Sequence, residues 1–314
     1  MEPDRPVLVD FGGTGVPVTG AVRKHPLVAF FVLAFALTWA NWVPQVLVSR
    51  GVLSGSVPPS IGLLAGYGPA LAAIIVTSIT AGRLGLRRLF GRILRWRVGL
   101  RWYAIAALTP VAITVAAIGL NVLAGGAPPD FAQTQFRLLP PGAPLWQEVA
   151  LLLLFFTLGF DGIGEELGWR AFAQPRLQAS RSALQAALIL GVLWAAWHIP
   201  FALMPGGLFS KTPWPLFVVS VLSLSVIHAW LFNGTQGSAL IPLLFHAVGN
   251  TPSNALSILP PSTGDLRTVW IAIGLQAAFA GLIVLVGGPA TLARRQLTGL
   301  AIEPPADISP GSDA

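Results

Sequence analysis

Two adjacent carboxylates, Glu165 and Glu166, close an apolar run that reads Glu148-VALLLLFFTLGFDGIGEELGWRAF. Asp161 precedes them and Arg170 follows, in a chain whose residues are only 10% charged. A charge at bilayer depth costs about 2.5–3.5 kcal/mol on insertion scales, so this cluster needs partners and a polar cavity to hold it. On a helix Glu166 and Arg170 are i,i+4 and share a face, which suits an ion pair. Glu165 is turned away by about 100° and is left unpaired by Arg170. The spacing predicts one structural carboxylate and one available for acid–base chemistry. Other polar groups able to do chemistry lie further on. His198 stands in Leu193-WAAWHIPF, with Trp194 one turn earlier and Pro200 placed to kink or end the helix. His246-x-x-x-Asn250 presents an imidazole and an amide on one helical face. His228 has Ser225 as its polar neighbour one turn back, and reads as an interhelical hydrogen-bonding residue.

The elements that must position these groups are membrane helices. The 314 residues are 54% hydrophobic, with a mean hydropathy of +0.73, far outside the soluble globular range. Eight stretches are long enough to span a bilayer: 27–48, 60–81, 102–124, 147–164, 183–203, 214–232, 238–258 and 268–288. The fold class expected is therefore all-α, a polytopic membrane protein of about eight transmembrane helices. No internal repeat of fixed period accompanies them. With a cytoplasmic N-terminus, fifteen of the nineteen basic residues fall on the cytoplasmic side, as the positive-inside rule requires. Both termini and the acidic cluster at the end of the fourth span are then cytoplasmic. The first apolar stretch is too long for a cleavable signal.

The chain divides into a flexible tail (1–26), N-terminal transmembrane helices (27–146), a core carrying the chemistry (147–258), a last transmembrane helix (259–290) and a disordered C-terminal tail (291–314). Within the second unit, 82–101 interleaves seven arginines with leucines, Phe90 and Trp96, a pattern for a basic amphipathic segment at an anionic leaflet. That reading assigns the net charge of +7 to membrane lipids and topology, with no nucleic acid as partner. The absence of cysteine excludes disulfides, Cys-ligated zinc, iron–sulfur clusters and a thiol nucleophile. Seventeen arginines against two lysines suggest a GC-rich bacterial genome.

In order along consecutive hydrophobic segments, EExxxR, an aromatic-xxx-His and HxxxN make a pattern that resembles the CPBP intramembrane proteases, also called the Abi or CAAX-protease-like family. The resemblance covers about 150–254 and includes the phrases WHIPF and NGTQGSALIPLLFHAVGN. One departure is that the second motif usually begins with Phe, where this chain has Trp194. The resemblance implies an eight-helix fold and hydrolysis of a peptide bond in a membrane cavity open to the cytosol. Its motif positions fall on Glu165, Glu166, Arg170, His198, His246 and Asn250; Asp161 and His228 are not among them.

Amide hydrolysis needs an activated water, stabilisation of a tetrahedral oxyanion and a proton for the departing amine. On that expectation Glu165 activates water with His198, while His246 and Asn250 donate to the oxyanion. Glu166 and Arg170 support the site. The competing mechanism makes Glu165, His198 and His246 ligands of a zinc ion that carries the water. The substrate expected is a membrane-associated protein or peptide, and the location a multi-pass position in the cell membrane. A non-catalytic immunity or scaffold protein and a proton-coupled transporter are the readings from other classes.

Overall fold

A computed structural model describes residues 17–56, 65–128, 138–140, 142–205, 212–255 and 265–293. The described residues are helical or in turns, with no strand among them. The elements are α1 (Pro17–Lys24), α2 (Pro26–Ser49), α3 (Gly68–Ile93), α4 (Leu100–Leu123) and α5 (Leu145–Leu158). A π-helical segment, Phe160–Glu165, then leads into α6 (Glu166–Gly168), a second π-helical segment, Trp169–Ala173, and α7 (Gln174–Gln178). There follow α8 (Ala183–Trp197), α9 (Ile199–Ala202), α10 (Trp214–Gly234), α11 (Leu240–Ala255) and α12 (Arg267–Gly287).

Local sequence explains where several of these start. Pro26 and Pro69 sit in the first turns of α2 and α3, where a missing N–H costs nothing. A reciprocal capping box opens α8: Ser182 Oγ accepts from the Gln185 N–H, and Gln185 Oε1 accepts from the Ser182 N–H. That helix ends at Trp197, as Pro200 requires.

The protein is a polytopic helical membrane protein. Among the described residues, six helical stretches are long and apolar enough to cross a membrane: Pro26–Ser49, Gly68–Ile93, Leu100–Leu123, Leu145–Gln178, Trp214–Gly234 and Arg267–Gly287. Of the two other expected spans, α8 has 15 residues, against the ~20 needed for a full crossing, and the described part of α11 covers 16 residues up to Ala255. These are the helices that lead to His198 and carry His246 and Asn250. Outward-facing apolar side chains such as Val32, Leu108, Leu123 and Leu285 are exposed, as lipid-facing positions require.

The expected fourth span also differs. It does not end at the acidic cluster but runs on to Gln178 through the two π-helical segments, after a break at Gly159 in an extended conformation. Glu165 is therefore well inside a helical run rather than at its terminus. The N-terminal expectation is corrected too. Residues 17–24 form α1, which buries Val22 against the core and donates from Arg23 Nε to Ile79 O at 3.2 Å. The tails 1–16 and 294–314 lie outside the described residues.

In α3 the backbone leaves helical geometry at Gly82 (φ 56°, ψ −148°), separating the apolar half from the arginine-rich half. Arg92, in that half, and Arg95, just beyond the helix, hold backbone carbonyls of later segments. Arg92 Nη1 donates to Ala171 O, and Arg95 Nη1 donates to Gln236 O at 2.6 Å.

The largest apolar cluster contains Phe30, Trp42, Trp169, Phe172, Trp194 and Trp197, so the helical run bearing the acidic residues is built into the core. The start of α3 packs directly on it. A Cβ at Gly168 would meet Pro69 Cβ at 2.6 Å and Pro69 C and O at 2.7 Å, and one at Gly164 would meet Gly66 O at 2.9 Å. Backbone-to-backbone approach this close leaves no room for a side chain. Gly168→Ala is therefore expected to cost about 1–3 kcal/mol by overpacking, read as a lower thermal midpoint in detergent. Gly281→Ala, where a Cβ meets nothing within 4 Å, should not lower it.

Candidate active site

Six ionisable side chains from three segments are buried together: Asp161, Glu165, Glu166 and Arg170 from the irregular run after α5, His228 from α10 and His246 from α11. Each acidic group has its own set of donors, and the sets differ in kind.

Glu166 holds the charged centre. Its Oε2 accepts from Arg170 Nε at 3.1 Å and its Oε1 lies 2.9 Å from His246 Nδ1. A carboxylate can only accept here, so Nδ1 carries the hydrogen and the other ring nitrogen, Nε2, points away from Glu166. Arg170 is fully buried and reaches further, to Gln174 Oε1 at 3.4 Å and Ser225 Oγ at 3.3 Å, with its guanidinium 5.2 Å from the Trp194 ring centroid. The predicted Glu166–Arg170 pair is present. The bond to His246 enlarges its role beyond holding a helix in register.

Glu165 takes its hydrogen bonds from neutral donors. Its Oε2 accepts from the indole Nε1 of Trp169 at 3.0 Å and from that of Trp194. Asp161 Oδ2 accepts from Asn250 Nδ2 at 2.7 Å, which fixes the amide plane. His198 Nδ1 lies 2.9 Å from Trp194 O. A carbonyl only accepts, so Nδ1 is the protonated nitrogen and a neutral ring carries its lone pair on Nε2.

Trp194 is the residue around which these groups gather. Its ring centroid is 6.2 Å from that of His198, 5.7 Å from His228 and 5.4 Å from His246. Its N–H meets Glu165 and its carbonyl meets His198. The structure thus joins Glu165, His198 and His246 around one indole. Asn250 joins through Asp161, and Glu166 and Arg170 through His246. The expected span boundaries set His198 and Glu165 at different depths; the longer acidic run and the shorter α8 remove that mismatch.

Sequence reasoning missed Trp169, although its i,i+4 spacing from Glu165 was a usable signal. It also set Asp161 and His228 aside. His228 Nδ1 lies 2.7 Å from Leu224 O, and its buried Nε2 stands 3.8 Å from Glu166 Oε1. Nothing in the sequence announced that approach, which depends on how α10 packs.

The zinc alternative can be tested against the donors. Among the described residues, Glu166, His228 and His246 form a group whose candidate ligand atoms all lie within 4.8 Å of one another. The set expected from sequence, Glu165, His198 and His246, shares only His246 with it. Two imidazoles and a carboxylate are zinc-like donors, yet ligands at zinc bond lengths of about 2.0–2.1 Å stand about 3.3 Å apart. His246 Nδ1 and Glu166 Oε1 are at hydrogen-bond distance, 2.9 Å, with a proton between them. The buried Arg170 guanidinium, 3.1 Å from the same carboxylate, would repel a divalent ion. The group does not fit a metal.

The family model described as type II CAAX prenyl endopeptidase Rce1-like matches residues 146–252, the stretch that supplies all of these side chains. That stretch is thus similar to a type II CAAX prenyl endopeptidase domain, which supports the resemblance carried by its motifs. A relative, CAAX prenyl protease 2 of Methanococcus maripaludis, is 25% identical over 260 residues, which cover 78% of this chain and 91% of that protein. Both similarities support a CAAX-protease-like endopeptidase.

The two carboxylates should separate experimentally. Glu166→Gln leaves Arg170 buried without its counter-charge and is expected to cost about 3–5 kcal/mol. Glu165→Gln keeps an oxygen acceptor for both indoles and should cost under about 1 kcal/mol. Denaturation midpoints of the purified variants in detergent check this difference.

Proposed function

We propose that this protein is an intramembrane endopeptidase that hydrolyses a peptide bond of a membrane-associated protein or peptide, with Glu165 and His198 activating the water. The observation that carries the reading is the gathering of Glu165, His198 and His246 around the single indole of Trp194. The name of the relative, a CAAX prenyl protease, adds a prenylated C-terminal peptide as the first substrate class to try. The arginine distribution supports access from the cytoplasmic side.

The residues divide the work by their donors. Glu165, held through one oxygen by neutral N–H groups, takes a proton from the attacking water. His198 accepts from the same water at Nε2 and orients it. The hydroxide adds to the carbonyl carbon, and the negative charge develops on the carbonyl oxygen. His246 and Asn250 donate to that oxygen. His246 does so through Nε2–H, since Nδ1–H is committed to Glu166; this requires both ring nitrogens to be protonated, with Glu166 as counter-charge. Asp161 holds one N–H of the Asn250 amide and thereby directs the other. The proton held by Glu165 passes to the departing amine as the C–N bond breaks. Donors fixed before the reaction in a water-poor site are worth far more than the same donors in water.

Purified protein in detergent or nanodiscs, given a farnesylated CAAX peptide and a library of unmodified peptides, tests this. Glu165→Gln, His198→Ala and His246→Ala should each lower kcat by about 10²–10⁴, and Asn250→Ala by about 10²–10³, with the helical signature retained. Cleavage preserved in all four would refute the reading. With Glu165 and His198 activating the water without a metal, chelator treatment and dialysis should leave kcat unchanged; loss of activity restored by zinc would overturn this mechanism.

A further inference from the structure

The three carboxylates of the site are held by three different kinds of partner. Glu166 has a guanidinium and an imidazole, and Asp161 has an amide. Glu165 alone is held by two indoles, one from its own helical run four residues on, the other from α8. Both indoles donate to the same oxygen, Oε2, and both rings are buried, at 0% and 2% exposure. An indole N–H is a donor only: it cannot take the proton that a base acquires, and it carries no charge to neutralise a carboxylate.

We propose that Trp194 and Trp169 are positioning residues for Glu165, a pair of neutral donors that fix one carboxylate oxygen and turn the other, Oε1, toward the reacting water. The inference rests on the reading of Glu165 as the base. Two donors from different helices, converging on one oxygen, set both the place and the rotation of the carboxylate; either alone leaves it a swing about the remaining bond. Trp194 does more, because its carbonyl accepts from His198 Nδ1. One residue therefore fixes both partners of the water, the base through its side chain and the imidazole through its backbone. A phenyl ring in its place fills most of the volume but has no donor.

A third buried indole on the same helix supplies the control. Trp197 Nε1 has no hydrogen-bond partner among the described residues, so its N–H has nothing to position. The experiment compares Trp194→Phe, Trp169→Phe and Trp197→Phe with Glu165→Gln in full-length protein on one cleaved peptide. Trp194→Phe and Trp169→Phe are expected to lower kcat about 10- to 100-fold each, the range for losing a hydrogen bond to a charged group, with KM changed less than about twofold. Trp197→Phe should keep wild-type kcat. Wild-type kcat in Trp194→Phe and Trp169→Phe, with Glu165→Gln inactive, would overturn the inference and leave Glu165 as base. Activity surviving in Glu165→Gln would instead refute the reading beneath it.

A second measurement needs no activity and no tryptophan variant. The ultraviolet resonance Raman band that reports indole N–H bonding should move toward the unbonded position for two tryptophans when Glu165→Ala is compared with wild type. An unchanged band would equally overturn the inference.

Discussion

The buried Glu166 carboxylate, shared between Arg170 and His246, is the constraint from which the rest of the site follows. Bringing a guanidinium and a carboxylate out of water costs several kcal/mol per ion, and their attraction offsets this only when further hydrogen bonds satisfy the remaining atoms. Here Gln174 and Ser225 accept from one guanidinium nitrogen, Nη1, while Nη2 has no partner among the described residues, and His246 takes the second carboxylate oxygen. Those partners come from the irregular run itself, α10 and α11. The network is thus the link that ties three helical segments together and orients the His246 imidazole.

Adjacent residues of one chemical type acquire opposite tasks through their neighbours. Glu166 is charge-compensated on both oxygens, which makes it a fixed anion. Glu165 is one residue along, turned to another face, and takes its hydrogen bonds from two indoles. Those neutral donors fix its geometry without forming an ion pair with it. Asp161 completes the division by anchoring the amide of Asn250.

The helical irregularities serve the same end. π-helical segments cost regular hydrogen bonding and recur where a side chain must be re-aimed. Two of them flank the EExxxR residues here, and glycines at 164 and 168 let this distorted run press against α3. The apolar helices around it leave their outer faces to lipid. α8 leads to His198, and α11 holds His246 buried inside the bundle.

The sequence alone determined a great deal. Hydropathy fixed the all-helical membrane class, because a bilayer leaves the backbone few other ways to satisfy itself. The i,i+4 rule predicted Glu166 with Arg170, and His198 one turn after an aromatic, because both relations are local to a helix. The tertiary structure decided what no periodicity encodes. It gave His246 to Glu166, Asn250 to Asp161 and a second indole to Glu165, across 80, 89 and 29 residues of chain. It also carried the acidic run past its expected end and ended α8 short of a full crossing. Local spacing reports which side chains share a face; only packing between helices decides which faces meet.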